Sequence, residues 1–275
     1  FVWGDQEEAE SIATVRAALD VGVNFFDTAE GYGDGYSEEV LGKALTGRRH
    51  EAIIATKVSQ SHLARDQVIR ACEGSLRRLN TDYIDLYQIH WPSREVPIEE
   101  TMEALERLRE QGKIRAIGVS NFGPQDMAGL LAVGRCETNQ LPYSLLWRAI
   151  EYEIVPQCLE HEIGILCYSP LVHGLLTGKF SSPDEVPEGR ARTRHFSRDR
   201  PLTRHGEEGC EEETFAAIER IRRICEGIGQ PMAKVALAWL LYQPGVVSVL
   251  AGARHPGQIV ENASAADLKL SPDVV

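Results

Sequence analysis

Apolar runs of strand character alternate with amphipathic helices along the whole 275-residue chain, which predicts an α/β domain built on a parallel sheet. Such a sheet is either open and doubly wound or closed into an eight-stranded barrel. A second observation bears on the choice. Three strand-like runs end on ionisable residues: Val23-Asn24-Phe25-Phe26-Asp27, Ile53-Ile54-Ala55-Thr56-Lys57 and Ile84-Asp85-Leu86-Tyr87-Gln88-Ile89-His90. In a barrel, polar residues at strand C-termini and on the following loops face the one mouth where ligands bind. A Gly-flanked turn after the first run adds Tyr32 to the set.

In order, residues 7–21 read as an amphipathic helix with Ile12, Val15, Ala18 and Leu19 on one face and Gly22 as its stop. Strands are expected at 23–28, 52–56, 83–89, 114–119, 137–140, 163–168 and 246–250. Helices are expected at 37–45, 68–79, 101–111, 125–133, 155–161, 231–242 and 258–265, with Pro231 in the first turn of its helix. That is seven strands, each followed by a helix, with no linker between them, so 1–275 reads as one domain. Closure requires one strand more. The sequence opens directly on a helix, so the first strand is expected to be missing from the N-terminus as given, and both ends read as trimmed. Residues 171–210 form a long segment of little periodicity, of the kind that is functional or disordered. Six arginines (190, 192, 194, 198, 200 and 204) crowd into it. Either they form a solvated loop balanced by Glu185, Glu188, Glu207 and Glu208, or they belong to a flap that folds over an anionic cofactor.

Composition excludes several classes. A net charge of −12 opposes binding to nucleic acid or anionic membranes, so any phosphate site must be locally basic. No run approaches the roughly 18 apolar residues of a membrane span. Cys72, Cys136, Cys158, Cys167, Cys210 and Cys225 lack CxxC or zinc spacing, which suits reduced thiols in a cytoplasm. Cys167, inside a strand, reads as inert, and no His-carboxylate cluster suggests a metal. Gly31-Tyr32-Gly33-Asp34-Gly35 mimics a dinucleotide fingerprint, but the third glycine would fall at Tyr36 and no second Rossmann half follows.

The chemistry available at one mouth is specific. A phenol is a weak acid with a reference pKa near ~10, and a nearby ammonium favours the phenolate. Tyr32 beside Lys57 would donate a proton, Asp27 would hold Lys57 charged and in place, and His90 would aim a carbonyl oxygen at the phenol. The set polarises a C=O and protonates the alkoxide, but it supplies no electrons, so a hydride must come from a cofactor. Singly, each residue has a blander reading: a Lys or Asp leaving the core, a hydrogen-bonded structural His. The combination carries the argument. Trp91, next to His90, is expected to line the substrate pocket, with Trp3 as a second wall; Trp147 reads as packing.

The segments Asp27-Thr28-Ala29-Glu30-Gly31-Tyr32-Gly33, Thr56-Lys57, Gln88-Ile89-His90-Trp91-Pro92, Gly118-Val119-Ser120-Asn121-Phe122, Asn139-Gln140 and Cys167-Tyr168-Ser169-Pro170-Leu171 occur in an order and spacing that resembles the aldo-keto reductase superfamily. Within it the chain resembles bacterial-type NADP-dependent oxidoreductases, and is similar also to potassium-channel beta subunits. The resemblance implies a (β/α)8 TIM barrel with Tyr32 as catalytic acid and Asp27, Lys57 and His90 completing a tetrad. It implies NAD(P)H extended across the mouth. Ser120, Asn121 and Gln140 would hold the carboxamide, Tyr168 would stack on the nicotinamide, and Ser169, Pro170, Leu171 and Lys179 would meet the pyrophosphate. Gly252, Arg254, Gln258, Glu261 and Asn262 resemble the adenosine-end pattern. Arg254 at the start of a helix suits a 2′-phosphate, which favours NADPH over NADH. The sequence departs from the family in lacking its N-terminal hairpin and first strand, and in having Gly252 where several members place a Lys. The implied activity is reduction of an aldehyde or ketone, or the reverse oxidation of an alcohol. A cofactor-sensing regulatory subunit and a sugar or inositol dehydrogenase are the alternatives. Residues 93–97 and 171–210 would set the substrate.

Overall fold

The computed structural model describes residues 6–275. Seven strands form one parallel sheet in the order of the chain: β1 (Phe25–Asp27), β2 (Ile53–Val58), β3 (Ile84–Ile89), β4 (Ile114–Ser120), β5 (Thr138–Pro142), β6 (Gly164–Tyr168) and β7 (Val246–Val249). The order never reverses, so there is no switch point of the doubly wound kind, and the strands follow a barrel wall. Each strand register is carried by the next, with Asp27 opposite Ala55, Lys57 opposite Gln88, Gln88 opposite Gly118 and Ser120 opposite Gln140. An eighth strand is not among the described residues, and β1 and β7 form the sheet edges. Outside the sheet lie α1 (Glu8–Asp20), α2 (Tyr36–Ala44), α3 (Arg65–Leu79), α4 (Ile98–Glu110), α5 (Pro124–Leu131), α6 (Ile154–Glu160), α7 (Glu211–Gly227), α8 (Met232–Leu241) and α9 (Pro256–Ala263). Helix α1 packs on α9, so the helical layer meets across the gap between the sheet edges.

The alternation of side chains along the strands divides the core in two. Ile54, Tyr87, Ile89, Ile117 and Val119 point outward into the large cluster beneath the helices. Ala55, Leu86 and Leu166, with Phe25, Ala116 and Leu250 against them, fill the barrel interior. Higher in that interior the same rows turn polar, with Lys57, Gln88, Ser120 and Gln140 buried. The space is full. A Cβ on Gly118 would lie 2.6 Å from Thr138 Oγ1 and 2.9 Å from Gln88 Cγ, so only glycine fits there.

Three expectations need correction. The sequence reading placed no helix between the long loop and Pro231, yet α7 is there, so β6 is followed by two helices. Its buried face is Thr214, Ile218 and Cys225, and Glu211, Glu212 and Glu213 in the first turn complement its dipole. Pro231 stands just ahead of α8 as its cap rather than inside its first turn. The first strand is also shorter than the expected 23–28, because β1 has a partner on one side only.

Residues 171–210 are packed rather than loose. Val186, Ala191 and Phe196 are buried. His195 Nε2 lies 3.1 Å from Leu146 O, with its ring against Trp147 at 5.3 Å. Arg194 pairs with Glu207, as the balanced-loop reading expected, but Arg200 pairs with Glu211 and Asp184, which that reading did not name. Of the six cysteines, all but Cys210 are buried. Burial pushes the thiols of Cys72, Cys136 and Cys167 up to about 12 and that of Cys158 to about 11. Among the described residues no helix is long and apolar enough to cross a membrane.

Candidate active site

Three neighbouring strands deliver their polar ends to one place. Asp27 closes β1, Lys57 is the penultimate residue of β2, and His90 follows β3 directly. Lys57 is fully buried, and its Nζ donates to Asp27 Oδ2 at 2.6 Å and to Thr28 O at 2.8 Å. An ammonium sealed from water keeps its charge only with such partners. The second Asp27 oxygen, Oδ1, accepts from Gln140 Nε2 at 2.7 Å and from Gln88 Nε2 at 3.4 Å. Gln88 was no candidate in the sequence; its register opposite Lys57 puts it there.

Tyr32 sits on the turn between β1 and α2, with 43% of its surface exposed. Lys57 Nζ lies 5.1 Å from its ring centre. The His90 ring meets it edge-on at 5.6 Å and 78°. Burial, and then the Lys57 charge, hold the His90 imidazole down to about 4, so it is neutral at ordinary pH and can donate or accept one hydrogen bond. The four residues expected to act together are therefore neighbours. Trp91, 49% exposed, stands beside them. Trp3 lies outside the described residues.

A hydrogen-bonded chain forms the next part of the mouth. Tyr168 Oη donates to Asn121 Oδ1 at 2.9 Å, and Asn121 Nδ2 donates to Ser120 Oγ at 3.0 Å and to His90 O at 3.1 Å. Ser120 Oγ donates to Gln140 O at 3.0 Å. Asn121 has φ +63°, a left-handed conformation that asparagine tolerates. Burial, and then Tyr32, push the Tyr168 phenol up to about 12.

After β6 the backbone turns sharply, with positive φ at Ser169, Val172, His173 and Gly174 around Pro170 and Leu171. Lys179 Nζ and Arg190 Nη1 converge on Gly174, at 3.2 and 3.3 Å from where its Cβ would stand. Desolvation, and then Arg190, lower the Lys179 pKa. No ion pair joins either cation among the described residues, and Arg192 Nε is buried without a partner. Two adjacent cations without a carboxylate partner suit an anion. Arg190 was not singled out in the sequence, where nothing separated it from the five other arginines of its loop.

Beyond β7 the last group of expected residues is tied to α9. Gln258 Oε1 accepts from Arg254 N at 2.7 Å, and Asn262 Nδ2 donates to Gly252 O at 3.2 Å. Arg254 Nε donates to Gln6 Oε1 at 3.1 Å, and Glu261 O accepts from Ser264 Oγ. Volume alone would not locate the site: a groove of about 990 Å³ between α3 and α4 is lined by Arg65, Arg70, Glu99 and Glu103 and by none of these residues. No group of three or more metal-ligating side chains occurs among the described residues.

Comparison with known proteins places the whole chain among characterised relatives. The model of the aldo/keto reductase family matches residues 2–275. Aldo-keto reductase YhdN of Bacillus subtilis is 39% identical over 269 residues, covering 94% of this chain and 79% of its own length. An NADH-specific methylglyoxal reductase of Escherichia coli is 34% identical over 291 residues, covering 98% and 86%. The crystal structure of an aldo/keto reductase from Klebsiella pneumoniae in complex with NADP and acetate matches with a TM-score of 0.77 at 35% identity, covering 97% of this chain and 82% of that one. The strand order, the polar barrel mouth and a family match over nearly the full sequence lead to one conclusion: the chain belongs to the aldo/keto reductase family.

Proposed function

We propose that this protein reduces an aldehyde or ketone with NADPH, or oxidises the corresponding alcohol, with Tyr32 as the general acid and base. The observation that carries the reading is the sealed Lys57–Asp27 pair, whose ammonium faces the Tyr32 ring at 5.1 Å. A positive charge fixed there stabilises the phenolate left when Tyr32 gives up its proton. Asp27 keeps Lys57 charged and in position, while Gln140 and Gln88 hold Asp27. Neutral His90 offers a ring N–H to the carbonyl oxygen and so directs it toward the phenol. Proton transfer then converts the developing alkoxide to the alcohol. The nicotinamide supplies the hydride when bound.

The residues present suit that group. Ser120, Asn121 and Gln140 offer polar side chains for its carboxamide, and Tyr168 offers a ring face. Lys179 and Arg190 offer paired charges for its pyrophosphate beside Ser169, Pro170 and Leu171. We assign 171–210 as the loop that covers it and 1–275 as one catalytic domain. Arg254, at the entry to α9 with Gln258, Glu261 and Asn262, favours a 2′-phosphate and hence NADPH, although one relative is described as NADH-specific.

The test is a fluorescence titration with NADPH and then NADH, repeated on Arg254→Ala, followed by a panel of small carbonyl compounds. Tight NADPH binding that the substitution weakens selectively, with turnover of at least one aldehyde, supports the reading. Absence of binding by either nucleotide refutes it.

A further inference from the structure

The turn that displays Tyr32 has little packing of its own, since residues 31–34 are all exposed. Its place over Lys57 is set by what ties it to β2. Beyond the end of β1, where Thr28 N donates to Ala55 O, two further ties come from a single residue. The Glu30 amide donates to Lys57 O at 3.3 Å. The Glu30 carboxylate Oε1 accepts from the Ser59 amide at 2.7 Å and lies 2.9 Å from His62 Nδ1. That side chain is only 10% exposed, so the hydrogen bond from the Ser59 amide to its oxygen is shielded from competing water. Glu30 thus grips the chain on both sides of Val58, at the Lys57 carbonyl and at the Ser59 amide two residues after Lys57. Tyr32 is two residues further along the turn.

We propose that Glu30 is a positioning residue, whose carboxylate holds the Ser59 amide and so fixes the turn at the height where the Tyr32 ring faces Lys57 and His90. The proposal rests on the reading of Tyr32 as the proton donor. Its agent is the Oε1 acceptor rather than the charge, because that oxygen is directed at Ser59 and His62 and not at the phenol.

The experiment compares Glu30→Ala, Glu30→Gln and Tyr32→Phe with the wild-type chain. It measures kcat and KM with an aldehyde, the NADPH Kd by fluorescence, and amide hydrogen exchange over residues 28–60. Glu30→Ala is expected to lower kcat about 10- to 100-fold, the effect of a misplaced catalytic group, with NADPH affinity unchanged. Exchange should quicken at Ser59 and in residues 29–33. Glu30→Gln keeps the acceptor and should retain kcat within about threefold, with slow exchange. Wild-type kcat in Glu30→Ala would overturn the proposal. So would a Glu30→Gln variant as deficient as Glu30→Ala, since charge would then be the agent. Full turnover by Tyr32→Phe would instead overturn the assignment of Tyr32, and the exchange data would still accept or reject the Glu30 tie.

Discussion

Asp27 divides its carboxylate between a cation and an amide: Oδ2 accepts from Lys57 at 2.6 Å, and Oδ1 accepts from Gln140 at 2.7 Å. The pair links β1 to β2 and reaches across the barrel interior to β5. Replacing Asp27 by Ala would leave the Lys57 ammonium uncompensated inside the barrel. We expect a stability loss of about 3–5 kcal/mol in urea unfolding, together with loss of turnover. A loss under about 1 kcal/mol would mean that the buried Lys57 does not depend on this partner.

Tyr32→Phe separates chemistry from structure. The ring is 43% exposed, and among the described residues no hydrogen bond to its hydroxyl occurs. Stability should stay within about 0.5 kcal/mol of wild type. Turnover should fall by about 100- to 10,000-fold, the usual contribution of a positioned acid, with the NADPH Kd unchanged. An active variant would exclude Tyr32 as the proton donor.

His90 should be a neutral imidazole throughout the working range. Burial is the larger cause of its lowered pKa of about 4, and the Lys57 charge the second. A histidine whose folded pKa is depressed contributes stability in full above its ordinary value of 6.5, and that stability declines as pH falls toward about 4. Long-range ¹H–¹⁵N spectra should show the His90 ring neutral down to about pH 5. Lys57→Met should move the titration upward without restoring the ordinary value, because burial remains. A wild-type midpoint near 6.5 would contradict the geometry.

At the opposite end of the strands, Asp85 provides a control. It accepts from Arg49 at 2.7 Å, Arg115 at 3.0 Å and the Ile54 amide at 3.0 Å, while both guanidiniums stack over the Tyr83 ring, at 4.2 and 3.8 Å from its centre. Conserving the barrel mouth and breaking this network by Asp85→Ala should cost about 2 kcal/mol and leave kcat unchanged. A changed kcat would couple the two ends of the barrel.

The alternation of strands and helices was legible because the inner strands bury most of both faces and so carry stretches of apolar residues between amphipathic helices. Asp27, Lys57 and His90 stood out because a charge at the end of such a run must leave the core for the mouth. What the sequence hid follows from three-dimensional register. Gln88 reads as one polar residue in a strand until pairing sets it opposite Lys57. Arg190 is one of six arginines until folding brings it to Lys179. Helix α7 escaped notice because its narrow apolar stripe is diluted by charged residues on every other face. Glu30 looked like part of a turn, and its grip on Ser59 depends on two loops meeting.

The distribution of thiols bears on survival in the presence of the proposed substrates. Aldehydes form adducts with accessible thiolates, and an enzyme that handles them risks modifying itself. Five of the six cysteines are buried, with their thiols held protonated, which leaves Cys210 as the only one open to solvent. Cys210 caps α7, away from the strand ends that carry Asp27, Lys57 and His90. Electrophilic damage to thiols would therefore fall first on the helix terminus at the end of residues 171–210 and spare the barrel interior.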